Sequence, residues 1–444
     1  MFTAENFRRI YDGENRKGLD LVARFFPQLE PHTEAIRNKI AEIRELRAKA
    51  ASIKPESFAQ TLSTLKSALA ILKSTKSSAI DDALEEVSLR VMASGFQISL
   101  EQKLGPKGKA VFCIDGSPET FFVIKQLQSN LNRLYGVKQA NRHDLICQVR
   151  DTVNGRFPYE MVRTDISSFY ESIDRKQLLA KLDGDHLLSP SSKTFIKQVL
   201  NSYGSLTTTS AGIPRGVGIS AYLAELYLRS IDREIRQLSG LVLYCRYVDD
   251  ILAVFARPPT GKHLGSYKDL IVQIIAKGGL THNAKKTNEF SLGAQANIKF
   301  EYLGYRFRLA NKKCLIKPSA AKVSKYKGRL NASFREYALT SVINSRRAYR
   351  TLVSRIKFLT GNTRLSNSKS NAVTGIYYNN SAVTDISSFT LLDGVLKRKV
   401  ASLKRPSLRA RLKPFRFIDG FSQRRFHNFS SKELQNIVRA WKHG

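Results

Sequence analysis

Apolar residues recur at helical spacing near the start of the chain. Ile36, Ile40, Ile43 and Leu46 predict a helix over 33–50, and Leu62, Leu65, Leu69 and Leu72 predict another over 57–73. Residues 79–93 read as a third helix, and Ser57 and Ser78 stand where N-caps are expected. This opening block is expected to be a helical packing platform. From Ala110 to about Leu309 the pattern shortens, and β-branched or aromatic runs at 111–114, 242–247 and 251–255 predict strands. They alternate with helical segments, of which 220–237 is a long one. Pro258-Pro259-Thr260-Gly261 predicts a loop. Beyond Lys312 the chain is expected to be mostly helical, interrupted by a polar linker or tip loop over 361–371. There is no internal repeat and no long low-complexity segment.

Composition adds a partner to this picture. The 444 residues are 42% apolar, which rules out wholesale disorder. Seventy-three Lys and Arg face 37 Asp and Glu, a formal net charge of +36. Such a charge predicts a polyanionic partner, and nucleic acid is preferred here over anionic lipid. From Tyr305 onward there are 31 basic against 5 acidic residues, so the acids are concentrated earlier in the chain. The four cysteines, Cys113, Cys147, Cys245 and Cys314, are far apart and suggest neither a zinc site nor a disulfide framework. That spacing fits a reducing cytoplasm. The first residues do not read as a signal peptide, and no run of 18 apolar residues predicts a membrane span.

The strongest chemical signal is Tyr247-Val248-Asp249-Asp250, set between two predicted strands so that the carboxylates sit at a hairpin tip. Adjacent carboxylates repel unless a cation screens them. Upstream, a predicted strand ends in Asp165 and the chain then turns into a helix. Three carboxylates from two neighbouring strands suit hard divalent ions, and Mg²⁺ takes few carboxylates, several waters and substrate phosphates. Two such ions can activate a 3′-hydroxyl and stabilise a leaving pyrophosphate.

At this point the sequence resembles the reverse transcriptases, over about residues 124–309 and in the family's order. Asp165 matches the first catalytic Asp, and Asp249 and Asp250 match the paired metal carboxylates. The resemblance implies a metal set of Asp165, Ile166, Asp249 and Asp250, holding two Mg²⁺ ions, with Mn²⁺ an acceptable substitute. Tyr170 matches the aromatic gate against the sugar 2′ position. Gly212-Ile213-Pro214-Arg215-Gly216-Val217-Gly218-Ile219-Ser220 matches the loop that holds the incoming nucleotide, which makes Pro214, Arg215 and Gly216 nucleotide-binding candidates. Lys286-Thr287 matches the basic motif that follows, and Tyr302-Leu303-Gly304-Tyr305 matches the primer-gripping hairpin. Lys138 and Arg142 fall where the family supplies cations to the triphosphate. The implied fold is an α+β right-hand polymerase. Its parts would be a helical N-terminal extension (1–100), fingers (101–150), a palm (151–310), a basic helical thumb (311–365) and a basic C-terminal region (366–444).

The departures from the family pattern are specific. Arg215 stands where the loop usually carries Gln, and Glu225 where many relatives have Asn. These resemble the bacterial defence-associated and abortive-infection reverse transcriptases. Residues 2–11 and 14–18, Gly375-Ile376-Tyr377-Tyr378-Asn379-Asn380, Leu391-Leu392-Asp393 and the closing residues 430–441 are similar to the "a" subunit of the type 3 defence systems. That likeness implies a non-coding RNA template, a DNA product made from deoxynucleoside triphosphates, a companion reverse transcriptase in a hetero-oligomer, and an antiphage role in the bacterial cytoplasm. Val373-Thr374-Gly375 is similar to a retron tripeptide. A retron-like enzyme and a protein-primed or untemplated DNA polymerase are therefore alternatives. An RNA-dependent RNA polymerase is disfavoured by Tyr170, and a non-catalytic scaffold by the retained acids. The basic last third suits RNA, with Arg346, Arg347, Arg350, Lys397, Arg398, Lys399, Lys404 and Arg405 as candidates and with Arg355 and Lys357 expected on the same faces.

Overall fold

The run Ile251-Leu252-Ala253-Val254-Phe255 is fully buried, as expected of a strand covered on both faces. It forms the middle of β5 (Asp250–Ala256) in a computed structural model that describes residues 1–50, 54–105, 108–138, 140–155, 157–257, 265–293, 297–310, 313–365 and 372–442. The expected loop at 258–261 lies outside the described residues, as does 366–371 of the expected polar linker.

The chain divides into two units, one made of 1–138 and 168–227, the other of 139–167 and 228–444. The first is mainly helical. It contains α1 (Ala4–Arg16), α2 (Leu21–Phe25), α3 (Glu30–Ala48), α4 (Pro55–Met92) and the hairpin of β1 (Leu100–Leu104) and β2 (Ala110–Ile114). After them come α5 (Pro118–Tyr135), the short α7 (Phe169–Ser172), α8 (Arg175–Gly184), α9 (Pro190–Thr207) and the first half of α10 (Ser220–Arg236). Its core includes an aromatic cluster in which Phe7 packs on Phe122 at 5.3 Å, and both are fully buried.

The helices expected over 57–73 and 79–93 are one helix, α4, and neither Ser57 nor Ser78 caps it. Pro55 occupies the first turn instead, and no Gly or Pro interrupts the Ser/Thr-rich middle. Thr75 is accommodated there by donating its hydroxyl to the Ile71 carbonyl.

The second unit is built on a four-stranded antiparallel sheet in the order β4 (Leu241–Tyr247), β5, β3 (Tyr159–Asp165), β6 (Asn288–Leu292). Helix α6 (Arg142–Asn154) contacts β4, and α11 (Tyr267–Lys277) contacts β3. A second sheet of β7 (Ile298–Tyr302), β8 (Tyr305–Ala310) and β9 (Lys313–Pro318) follows. Phe300 and Phe307 face each other across it, stacked at 4.7 Å. Then come α12 (Ala320–Ile343) and α13 (Ser345–Thr360), and later α14 (Ser387–Ala401), α15 (Pro406–Leu412), α16 (Phe417–Ser422) and α17 (Ser431–Lys442). The expected polar linker begins as a buried strand: β10 (Asn362–Arg364) pairs with β11 (Val373–Gly375). The fold is thus a mixture of helix and antiparallel sheet. Among the described residues no helix is long and apolar enough to cross a membrane.

Candidate active site

β3 ends on Asp165 and β5 begins on Asp250, and the antiparallel register sets these two residues directly opposite each other. Tyr247 and Asp250 close the β4–β5 hairpin, leaving Val248 and Asp249 as its turn. Val248 sits at φ +59°, a left-handed conformation that disfavours a β-branched residue. Its carbonyl is held by Arg246 Nη1 at 3.0 Å. Arg246 is itself fixed by two 2.7 Å bonds to Asp232 on α10, and Tyr244 donates to the same carboxylate at 2.6 Å. Burial and the Asp232 charge push the Tyr244 phenol pKa well up. The turn is therefore anchored from a neighbouring helix. Ile166 N–H donates to the Asp249 carbonyl at 3.2 Å, tying the end of β3 to the same turn.

Two protein cations reach these acids. Lys286 Nζ lies 2.7 Å from Asp165 Oδ2, and the Asp165 carbonyl accepts from Asn283 N–H at 2.7 Å. Thr287, next to Lys286, shares a 2.7 Å hydroxyl contact with Thr164. Arg163 donates to both oxygens of Asp250, at 3.2 and 3.3 Å. Burial raises the Asp250 pKa; Arg163 opposes the rise, and the charges of Asp165 and Asp249 add to it. Three carboxylates thus share one electrostatic environment. Arg163 was not singled out from the sequence, although its spacing two residues before Asp165 places both on one face of β3.

Hard oxygen donors, like-charge repulsion at Asp250 and the adjacency of Asp165, Asp249 and Asp250 fit a divalent cation. Ile166 has a buried apolar side chain, so only its backbone carbonyl could contribute. Among the described residues no group of three or more His, Cys, Asp or Glu is gathered closely enough to hold a metal ion.

The Tyr302–Tyr305 segment is a tight hairpin in the same unit. Leu303 at φ +45° and Gly304 at φ +72° make a two-residue turn closed by Tyr302 and Tyr305. Arg142 donates through both Nε, at 3.1 Å, and Nη2 to the Leu303 carbonyl. Its guanidinium therefore staples this turn. Tyr302 is fully buried with no partner for its hydroxyl, and burial pushes its pKa up. Tyr305 donates to the Asn379 carbonyl at 3.1 Å, and burial pushes it up to about 12. Lys322 donates to the same carbonyl at 2.5 Å and lies 4.4 Å over the Tyr305 ring. Burial, aided by the charge of Arg142, pushes Lys322 down to about 7. Nothing in the sequence pattern marked Lys322.

The nucleotide-loop residues belong to the first unit. Gly212, at φ +88°, leaves no room for a Cβ, which would meet the Glu171 carbonyl at 2.9 Å. Gly212 N–H donates to the Ile173 carbonyl at 2.7 Å, and Ile213 N–H to the Tyr170 carbonyl at 2.8 Å. Ser220 Oγ holds the Pro214 carbonyl at 2.7 Å. Phe112 N–H on β2 donates to the Arg215 carbonyl at 2.7 Å, beside Gly216 at φ +105°. Lys138 lies exposed, two residues beyond the Gly136 cap of α5.

Of the basic candidates, Arg346, Arg347 and Arg350 are exposed on the first turns of α13 and line a cavity of about 400 Å³. Lys397 and Arg398 are exposed on α14, and Lys399 lies 5.7 Å over the Phe334 ring. Lys404 is exposed, and Arg405 stacks on Tyr349 at 4.9 Å while donating to Ser345 at 3.3 Å. Arg355 does not share their face. It is 2% exposed and spends its donors on Glu336 and on the carbonyls of Asn436 and Ile437, pinning α17 to α13.

Residues 125–307 match the family model described as reverse transcriptase (RNA-dependent DNA polymerase). The chain carries a reverse transcriptase domain, the nucleotidyltransferase domain of RNA-directed DNA polymerases. Such domains work with divalent metal ions, an RNA template and deoxynucleoside triphosphates. No curated protein matches the chain. Among solved structures, telomerase from Candida albicans with a TWJ fragment of telomeric RNA is 12% identical over 73% of this chain and 65% of that one, with a TM-score of 0.39. Apo telomerase from Candida tropicalis is 14% identical over 78% and 63%, with a TM-score of 0.41. The chain thus spans less than two thirds of the length of these structures.

Proposed function

We propose that this protein copies an RNA template into DNA, with Asp165, Asp249 and Asp250 holding two Mg²⁺ ions. A primer or priming-group hydroxyl attacks the α-phosphorus of a deoxynucleoside triphosphate; the new P–O bond forms as the bond to pyrophosphate breaks. The ions, when bound, supply charge to the attacking and leaving oxygens. The protein groups do the positioning. The β3–β5 register brings Asp165 against Asp250, and the Asp232–Arg246 anchor fixes the turn that carries Asp249. Lys286, on Asp165, offers a cation to the departing pyrophosphate. Tyr170 gives the bulk that rejects a ribose 2′-hydroxyl, and the basic helices after Lys313 bind the RNA backbone.

The observation that carries this reading is the register that sets Asp165 opposite Asp250, with Asp249 in the adjoining turn, inside a protein of charge +36. Arg215, Glu225 and the flanking segments support the finer reading of a bacterial defence enzyme. Its template would be a dedicated non-coding RNA and its partner a companion reverse transcriptase. Asp249→Asn tests the core of the proposal. Incorporation of deoxynucleotides on an RNA template should disappear while RNA affinity, measured by filter binding, stays at or above the wild-type value. Continued synthesis by this variant would remove Asp249 from the chemistry.

A further inference from the structure

Arg215 is the departure from the family pattern that lies closest in sequence to the nucleotide loop's glycines, and its side chain is committed within the first unit. Nη2 donates to both oxygens of Glu171, at 3.1 and 3.3 Å. The guanidinium carbon lies 5.4 Å from the centre of the Tyr170 ring, a cation–π contact. Nε is buried with no acceptor. A donor left unsatisfied is unfavourable, so the guanidinium is held by the ring and the carboxylate rather than by full hydrogen bonding.

The backbone around it allows little freedom. Ile213 N–H ties the loop to the Tyr170 carbonyl, and Phe112 N–H ties the Arg215 carbonyl to β2. Arg175 donates to the carbonyls of Gly212 and Ala211, both at 2.7 Å. The segment bearing Tyr170 and the loop bearing Arg215 are thus fastened to each other, and the Arg215 side chain completes the link at the ring. A neutral amide at this position could neither pair with Glu171 as an ion nor stack as a cation.

We propose that Arg215 is a positioning residue. Held by Glu171, it fixes the Tyr170 ring and thereby sets the discrimination between deoxyribo- and ribonucleotides. This rests on the reading of Tyr170 as the sugar gate. A direct role for Arg215 on the triphosphate makes a different prediction: removal would weaken dGTP and GTP use in parallel and leave their ratio unchanged.

The test is the ratio of kcat/KM for dGTP over GTP on one RNA template. It is measured for wild type, Arg215→Gln, Arg215→Lys, Glu171→Gln, Tyr170→Ala and the double variant Tyr170→Ala/Arg215→Gln. Arg215→Gln should lower the ratio about tenfold, the size of a partly desolvated cation–π contact. Arg215→Lys, which keeps the charge and loses the planar stack, should fall between the two. Glu171→Gln should lower the ratio with the arginine still present, which keeps the proposal testable if Arg215→Gln folds poorly. In the Tyr170→Ala background Arg215→Gln should add nothing. An unchanged ratio in both Arg215→Gln and Glu171→Gln, or a further drop in the double variant, would overturn the proposal. Failure of the underlying reading looks different: Tyr170→Ala would then keep the wild-type ratio, or the wild-type protein would prefer GTP.

Discussion

Replacing Gly216 by alanine puts a methyl group where the structure has none to spare. The new Cβ would lie 2.6 Å from the Phe112 carbonyl oxygen and 2.6 Å from Val111 Cγ1. The first is backbone of β2, so no side-chain rotation relieves it. Overpacking of this kind costs roughly 1–3 kcal/mol. The φ of +105° adds a conformational penalty of about 1–3 kcal/mol for a residue with a Cβ. If the loop moves away instead, the bond from Phe112 N–H to the Arg215 carbonyl is lost, about 1 kcal/mol, and Phe112 is 4% exposed. The total lies at about 2–6 kcal/mol if the loop stays in place and about 2–4 kcal/mol if it moves. The assay is urea unfolding of Gly216→Ala together with KM for a deoxynucleotide. Gly394→Ala in α14 is the control, because its Cβ would meet nothing within 4 Å. Alanine there should stabilise by about 0.5–1 kcal/mol. If Gly216→Ala unfolds within about 0.5 kcal/mol of wild type and keeps its KM, the claim that this glycine seats the loop against β2 is wrong.

Lys322 makes a pH prediction. An unfolded lysine titrates near 10.4, at about that value in model peptides, whereas folded Lys322 is pushed down to about 7. The folded chain therefore binds fewer protons than the unfolded chain between these values, and stability falls as pH drops from about 10 to about 7. Lys322→Met should flatten that fall, read from urea midpoints at about pH 9.5 and about pH 7; an unaltered slope would return Lys322 to the ordinary lysine range. On α14, replacing Lys397, Arg398 and Lys399 with glutamine should weaken RNA binding and reduce the slope of log affinity against log salt by about 2–3. An unchanged slope would make these residues a solvated face.

How much of this could be read from the chain depended on whether the cause was local. β5 was legible because a fully apolar run between turn signals has few other solutions, and Asp249-Asp250 stood out because neighbouring acids are unfavourable without a cation. α4 was broken in two because Ser and Thr between residues 73 and 79 suggest a cap, whereas packing and hydroxyl-to-carbonyl bonds carry the helix through. Arg355 was grouped with exposed arginines by spacing alone. Its burial depends on carbonyls from α17, more than 80 residues away. The Arg246–Asp232 anchor and the positive φ of Val248 were invisible for the same reason: each is set by a tertiary contact. Arg142 was placed with the triphosphate cations by its position in the chain, and its guanidinium is spent on the Leu303 turn.

Arg163 and Lys286 give the acidic corner of the sheet its own resident counter-ions. The chain is therefore expected to reach its folded state without an inorganic ion, unlike small metal-dependent domains that collapse only on loading. On the proposed reading a divalent ion entering later would compete with an ammonium and a guanidinium for the same oxygens. On that reading its affinity for the resting protein should be modest and should rise once a triphosphate contributes further ligands, so that ion and substrate are expected to be captured together. Chelation should silence such a protein without melting it.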